Sequence, residues 1–242
     1  MKLAFATIGE APRDDLVPYL RSKLPGPLEV EEDGVLNHLN ESGRRELDTH
    51  DDTLHMVTRD REGNAYRLNY QRTLPHMQRV VDGLVERGAD MVVILCGADW
   101  SSVRASVPVV NPGVLFPNLV QALGKGLKLG IIKPDEGQIP HTVKHYTAIG
   151  LDPVVTAASP YGADRLELAR RAAETLRDQG AEMIWMTCVG MDEDMRDTVH
   201  EILPLPTILA RSVLARIIAE LVGELPTAGR RADAAARKGV AL

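Results

Sequence analysis

The sequence predicts an α/β protein made of two pseudo-symmetric lobes, each with a parallel sheet, facing each other across one cleft. Three observations predict it. Residues 86–100, ERGADMVVILCGADW, match residues 178–192, DQGAEMIWMTCVGMD, with Gly88 on Gly180, Ala89 on Ala181, Asp90 on Glu182, Met91 on Met183 and Cys96 on Cys188. Each copy reads as a helix end closed by glycine, a tight turn and a buried strand running into a thiol, and these are the chain's only two cysteines. Elsewhere, short β-leaning apolar runs alternate with stretches of helical periodicity, the pattern of parallel strands joined by crossover helices. At 242 residues the chain is long enough for two such lobes, each with its own core.

Composition narrows the function. A net charge of -6 offers phosphate backbones no basic face, so nucleic acid is not an expected partner. The apolar stretch at residues 3–8 is too short for a secretory signal or a membrane span, and a cytoplasmic protein without membrane contact is expected. Two cysteines without metal-ligand spacing suit a reducing compartment better than a disulfide framework.

Residues 3–8 form the first strand. Gly9, Glu10, Ala11, Pro12 and Arg13 then open a helix that runs to about residue 24, its start marked by proline and the acids Asp14 and Asp15. Residues 28–32 suit a second strand and 42–47 a short helix. A hairpin is expected from 53–59 and 66–70 around the glycine-containing turn at 60–64. Residues 75–87 carry Met77, Val80, Val81, Leu84 and Val85 at helical spacing and lead into the first cysteine strand. A strand at 107–110 and a helix at 114–123 follow.

The second lobe repeats the scheme. It reads as strand 127–132, a polar loop at 133–137, helix 138–149, strand 153–157, a loop at 159–162, helix 163–179 and the second cysteine strand at 183–188. A helix from Asp192, a short strand near Leu205 and a final helix at 208–222 complete it. Phe5 lies 91 residues before Cys96, whereas Ile131 lies 57 before Cys188. The excess of 34 is about the size of the polar stretch and hairpin at 33–70, which reads as an addition to the first lobe, a lid or a dimer contact. The lobes are assigned to residues 1–112 and 113–224, with the final helix packing back on the first lobe. Residues 225–242, rich in Ala, Arg and Lys, are expected to form a mobile tail.

In parallel sheets ligands bind beyond the carboxyl ends of the strands, where the loops at 9–13, 97–99, 134–138, 159–161 and 189–192 gather. Two thiols facing each other there suit proton transfer at a carbon acid beside a carboxylate or carbonyl. One thiolate removes the proton, a thiol on the opposite face returns one, and the centre inverts. A free thiol titrates near about 8.5, and the backbone N–H groups of Gly97, Ala98, Val189 and Gly190 are placed to support its ionised form. The bland alternative is that both are small buried residues closing their strands, but their matched positions favour the functional reading.

Those cysteines, with Thr7-Ile8-Gly9-Glu10-Ala11-Pro12-Arg13, Leu95-Cys96, Pro134 with Gln138, Ser159-Pro160-Tyr161 and Thr187-Cys188, resemble the AroM family within the aspartate/glutamate racemase superfamily. The opening segment is the most specific of these. The superfamily contains cofactor-independent racemases, hydantoin racemases, maleate isomerases and arylmalonate decarboxylases. The resemblance implies flavodoxin-like lobes with an active-site cleft between them, Cys96 and Cys188 as acid and base, no cofactor and a homodimer. Its amino-acid racemases usually follow the first cysteine with Asn-Thr and the second with Thr-His. Gly97-Ala98 and Val189-Gly190 stand there in this chain, so an aspartate or glutamate substrate is not implied.

Substrate contacts are expected from Gly9, Arg13, Gly97, Ala98, Gln138, Ser159, Tyr161, Val189 and Gly190. Arg13 offers a bidentate carboxylate clamp, or else a surface ion pair with Asp14 or Glu10. Ser159 and Tyr161 offer hydroxyl donors, or serve as turn residues. His141 and His145 have metal-friendly i,i+4 spacing, but no acid completes a motif and no metal is expected. Gly124-Lys125-Gly126 lacks the rest of a phosphate loop. The expected function is a cofactor-independent racemase, epimerase or isomerase of a small carboxylate or carbonyl compound. A one-thiol decarboxylase and a non-catalytic small-molecule binding or regulatory protein are the alternatives.

Overall fold

The computed structural model describes residues 1–26, 28–49 and 55–223. The first lobe runs β1 (Lys2–Thr7), α1 (Val17–Ser22), β2 (Glu29–Gly34), α2 (Glu41–Leu47), β3 (His55–Arg59), β4 (Ala65–Asn69), α3 (Tyr70–Glu86), β5 (Met91–Ile94) and β6 (Val109–Val110). The second runs α4 (Pro112–Gly124), β7 (Lys128–Lys133), α5 (Ile139–Ala148), β8 (Asp152–Ala157), α6 (Arg165–Asp178), β9 (Met183–Met186), α7 (Glu193–Ile202), β10 (Thr207–Leu209) and α8 (Ala210–Val222).

One sheet has the order β2-β1-β5-β6 and the other β10-β9-β7-β8, with every pairing parallel. With the antiparallel β3–β4 hairpin set aside, both lobes place their second strand at one edge, then the first, third and fourth. This is the flavodoxin-like order, and it puts the carboxyl end of the central strands at the ligand side. The strands are near-continuous apolar runs because both faces are covered: β5 and β9 are buried at every residue.

One apolar cluster unites Phe5, Leu16, Leu20 and Val93 of the first lobe with Ile131, Trp185, Leu214 and Ile218 of the second, and each lobe has a further cluster of its own. α8 packs on α1. Arg211 at its start donates to the Asp15 carbonyl at 2.6 Å and lies over the Tyr19 ring at 4.9 Å. Among the described residues no helix is long and apolar enough to cross a membrane.

Several boundaries differ from expectation for local reasons. α1 begins at Val17 because residues 11–15 are tied down as a loop. Asn37 takes the Ala11 N–H at 2.7 Å and donates to its carbonyl at 2.8 Å, while Glu32 takes the Arg13 N–H. α3 begins at Tyr70, five residues before Pro75, because the Asn69 side chain caps it by accepting the Arg72 N–H. β7 extends through Lys133, making that residue a strand end instead of the start of a loop. β5 and β9 both stop two residues short of their cysteines, so the thiols stand on the turns beyond the strands. Thr53 and Leu54, expected to begin the hairpin, and the tail from residue 225 lie outside the described residues.

Candidate active site between the two lobes

A cavity of about 460 Å³ is lined by residues from both lobes at the carboxyl ends of the sheets. Cys96 and Cys188 both face it, together with Arg13, Gly97, Ala98, Gln138, Tyr161 and Val189. Gly9, Ser159 and Gly190 do not line it; they shape it from behind. A Cβ on Gly9 would stand 2.3 Å from Thr58 Oγ1 and 2.7 Å from the Arg59 carbonyl, so glycine here lets the hairpin lie on the first loop. Ser159 Oγ accepts the Tyr161 N–H at 3.2 Å and so sets the turn that carries Tyr161. The Gly190 N–H points at Cys188 Sγ, 3.4 Å away.

The two thiols have unlike surroundings. Cys96 is buried against Met56, and its Sγ–H donates to the Met56 sulfur at 3.7 Å. Burial pushes its pKa up to about 11, a rise that the Ala98 N–H and the Trp100 indole N–H only partly offset and that charge on Cys188 reinforces. Cys188 is half-buried and accepts a hydrogen bond instead of donating one. Burial raises its pKa as well, opposed by the Gly190 and Met191 N–H groups and by the positive charges of Lys133 and Arg13. Burial leaves both thiols above the free value, and Lys133 opposes the rise at both. Arg13 and the Met191 N–H oppose it at Cys188 alone, so Cys188 is the better supported of the two as a thiolate.

Arg13 is committed inside the protein. Its Nε and Nη2 donate to the two Asp15 oxygens at 2.9 Å each, Nη1 donates to Thr7 Oγ1 at 3.1 Å, and Nη2 reaches Tyr161 Oη at 3.5 Å. Burial works against its charge, but Asp15 and Tyr161 outweigh it and leave the pKa raised. Of the two ion pairs expected for it, neither forms; the partner is Asp15. Burial pushes the Tyr161 hydroxyl up to about 12, so it is a protonated donor beside Cys188.

The β3–β4 hairpin crosses from the first lobe to the second. His55 Nε2 lies 3.0 Å from Asp135 Oδ1, Arg67 donates to Asp135 Oδ2 at 2.6 and 3.0 Å, and the Gln138 amide donates to the His55 carbonyl at 3.1 Å. His55, Met56, Val57 and Thr58 form part of the cavity wall. Phe116 meets Trp185 edge to face at 5.2 Å, and Trp185 Nε1–H donates to Tyr146 Oη at 2.9 Å, giving another part of the wall an aromatic surface.

The family model described as AroM protein matches residues 3–222. The chain belongs to the AroM family. No curated protein matches its sequence. Glutamate racemase from Francisella tularensis is similar in structure, with a TM-score of 0.59 at 12% identity over 91% of this chain and 80% of that one. Allantoin racemase from Pseudomonas fluorescens gives 0.53 at 16% identity over 92% and 90%, and arylmalonate decarboxylase 0.55 at 14% identity over 90% and 92%. This AroM protein thus shares its two-lobed fold with these racemases and the decarboxylase.

Some of the AroM site was not visible in the sequence. Lys133 faces the cavity and lies within electrostatic reach of both cysteines, but one residue of strand length decided whether it read as strand end or loop. Tyr70, Phe116, Tyr146 and Trp185 also line the cavity, but in the sequence they read only as parts of helices and strands. His141 and His145, weighed solely as metal ligands, stack with ring centroids 6.4 Å apart and line the cavity. The excess length of the first lobe was the available signal for the hairpin.

Proposed function

We propose that this AroM protein is a cofactor-independent racemase, epimerase or isomerase that moves a proton at a carbon acid next to a carboxylate or carbonyl. The observation that carries the reading is the pair of cavity-lining cysteines, one from each lobe, in unlike surroundings: Cys96 Sγ–H is held by Met56, while Cys188 takes the Gly190 N–H. In the proposed cycle the Cys188 thiolate takes the proton from carbon and becomes a thiol. The electron pair left behind is held as an enolate, and the Cys96 S–H delivers its proton to the other face, leaving a Cys96 thiolate. Exchange of one proton with solvent resets the pair. The shared fold with racemases supports this reading.

A second reading, a one-thiol decarboxylase, is favoured by one feature. Burial keeps Cys96 protonated, which suits the single donor needed to protonate an enolate left by loss of carbon dioxide. A cleft that binds a small molecule without chemistry is the remaining alternative. The cofactor independence and homodimer implied by the family resemblance, and the cytoplasmic setting expected from the sequence, belong to the same proposal, and light scattering tests the dimer.

Incubation in D₂O with a panel of chiral 2-substituted carboxylates tests the chemistry. Deuterium should enter the reacting carbon with inversion, and separate Cys96→Ala and Cys188→Ala changes should each abolish inversion. Wild-type inversion in either variant rules out the two-thiol form, and carbon dioxide release from 2-substituted malonates without inversion selects the decarboxylase. Alkylation by iodoacetamide is an independent check: Cys188 should react faster than Cys96. Two equally inert thiols would favour binding without catalysis.

A further inference from the structure

Among the described residues, Lys133 is the one permanent cation of the cavity wall whose charge is left over. It is the last residue of β7, a central strand flanked by β9 and β8, so its backbone position is fixed by the sheet. Among the described residues its ammonium has no ion pair and no hydrogen-bond partner. The other permanent cation of the wall, Arg13, is spent on Asp15, and His55 faces Asp135.

The wall offers little to an ammonium group in return. Among the described residues its one carboxylate, Asp99, is exposed and already engaged by the Ser101 N–H at 2.8 Å, the Ser101 hydroxyl and the Asn111 amide at 3.2 Å. Another part of the wall is apolar and aromatic, with Val57, Tyr70 and Pro117 partly exposed and Phe116, Trp185 and Tyr146 almost fully buried, the Trp185 indole N–H being satisfied by Tyr146. A ligand suited to this cavity brings one negative charge for Lys133, an apolar group for the rings and no positive charge.

We infer that Lys133 holds the substrate carboxylate, and that the substrate is a small monocarboxylate with an apolar or aromatic substituent and no ammonium group at the reacting carbon. The substrate assignment rests on the reading of the cleft as a carbon-acid site. Held by Lys133, the carboxylate keeps its α-carbon beside the thiols, and the same ammonium faces the negative charge that grows on the carboxylate oxygens as the proton leaves. Burial lowers the pKa of Lys133 and negative charge on Cys188 or Cys96 only partly offsets it; a bound carboxylate acts in the same direction as the thiolates.

Calorimetric titration of the full chain with phenylacetate, neutral phenylacetamide and L-aspartate tests the inference without requiring turnover. Wild-type protein should bind phenylacetate at least about tenfold more tightly than either of the others. Lys133→Met should lose about tenfold or more for phenylacetate and stay within about twofold for phenylacetamide, with Lys133→Arg recovering part of the loss. Undiminished phenylacetate binding by Lys133→Met, tighter binding of aspartate than of phenylacetate by the wild type, or no phenylacetate binding at all would overturn it. The wild-type comparison stands even if a variant fails to fold. Phenylacetate binding through Lys133 in a protein that exchanges no deuterium on any carboxylate would keep the anion site and refute the thiol chemistry. Inversion unaffected by Lys133→Met would do the reverse.

Discussion

Cys96 and Cys188 occupy matched turns beyond matched strands, yet Met56 receives a hydrogen bond from one and Gly190 gives a hydrogen bond to the other. Under the proposed roles, kcat/KM should rise with pH as Cys188 ionises and fall again as the Cys96 proton, held to about 11, is lost. A bell-shaped profile whose rising limb disappears in Cys188→Ser, but not in Cys96→Ser, is the expected result. Asp15 gives a stability counterpart. Burial raises its pKa, but Arg13 and Arg59 outweigh burial and hold it at about 2, against 3.8 for a free aspartate. Its contribution is therefore complete above about pH 4 and lost as pH falls through about 2. Asp15→Asn should cost roughly 2 kcal/mol in urea denaturation at pH 7 and much less near pH 2. The cysteines could be found in the sequence because there are only two, in matching contexts. The pairing of Arg13 with Asp15 was hidden because it depends on a side chain turning back on its own loop, while spacing alone offered Glu10 or Asp14.

The hairpin and the helix ends decide the shape of the cleft. Asp135 receives both His55 and Arg67, and burial, which would raise its pKa, is outweighed by those hydrogen bonds. Asp135→Ala should release the β3–β4 hairpin from the second lobe, seen as faster amide exchange across His55–Arg59 with the two sheets unchanged. Unchanged exchange there would show that the Gln138 contact and apolar packing hold the hairpin alone. At the start of α4, a Cβ on Gly113 would stand 1.9 Å from the Ala98 carbonyl oxygen, so only glycine lets this helix rest on the turn after Cys96. Gly113→Ala should destabilise the protein by about 2 kcal/mol or more and disturb the Cys96 side of the site. The hairpin was foreseen as an element from its alternation and glycine turn. Its attachment was not, because the partner residues lie 68 and 80 positions away.

At the scale of the molecule, the repeated segment predicts two lobes, and both sheets have the same strand order. The lobes do not separate into two cores: Phe5 and Leu20 share a cluster with Trp185 and Ile218, and α8 lies against α1. Arg211, 5% exposed, joins them through Asp15 and Tyr19. Arg211→Ala should lower stability by about 2–3 kcal/mol in a single cooperative transition, whereas two separated transitions would show independently folding lobes. Strand order could be expected from alternation, but the shared core could not, since apolar periodicity marks a buried face without naming what buries it. The central claim is that one thiol from each lobe serves a single carbon. Incubation in D₂O, with proton NMR for deuterium uptake and chiral chromatography for inversion, of 2-phenylpropionate and the other chiral carboxylates with wild-type protein and each cysteine-to-alanine variant tests it most directly. The account predicts inversion with deuterium uptake by the wild type, and loss of inversion by about a thousandfold in both variants. Inversion at the wild-type rate in either variant would contradict it.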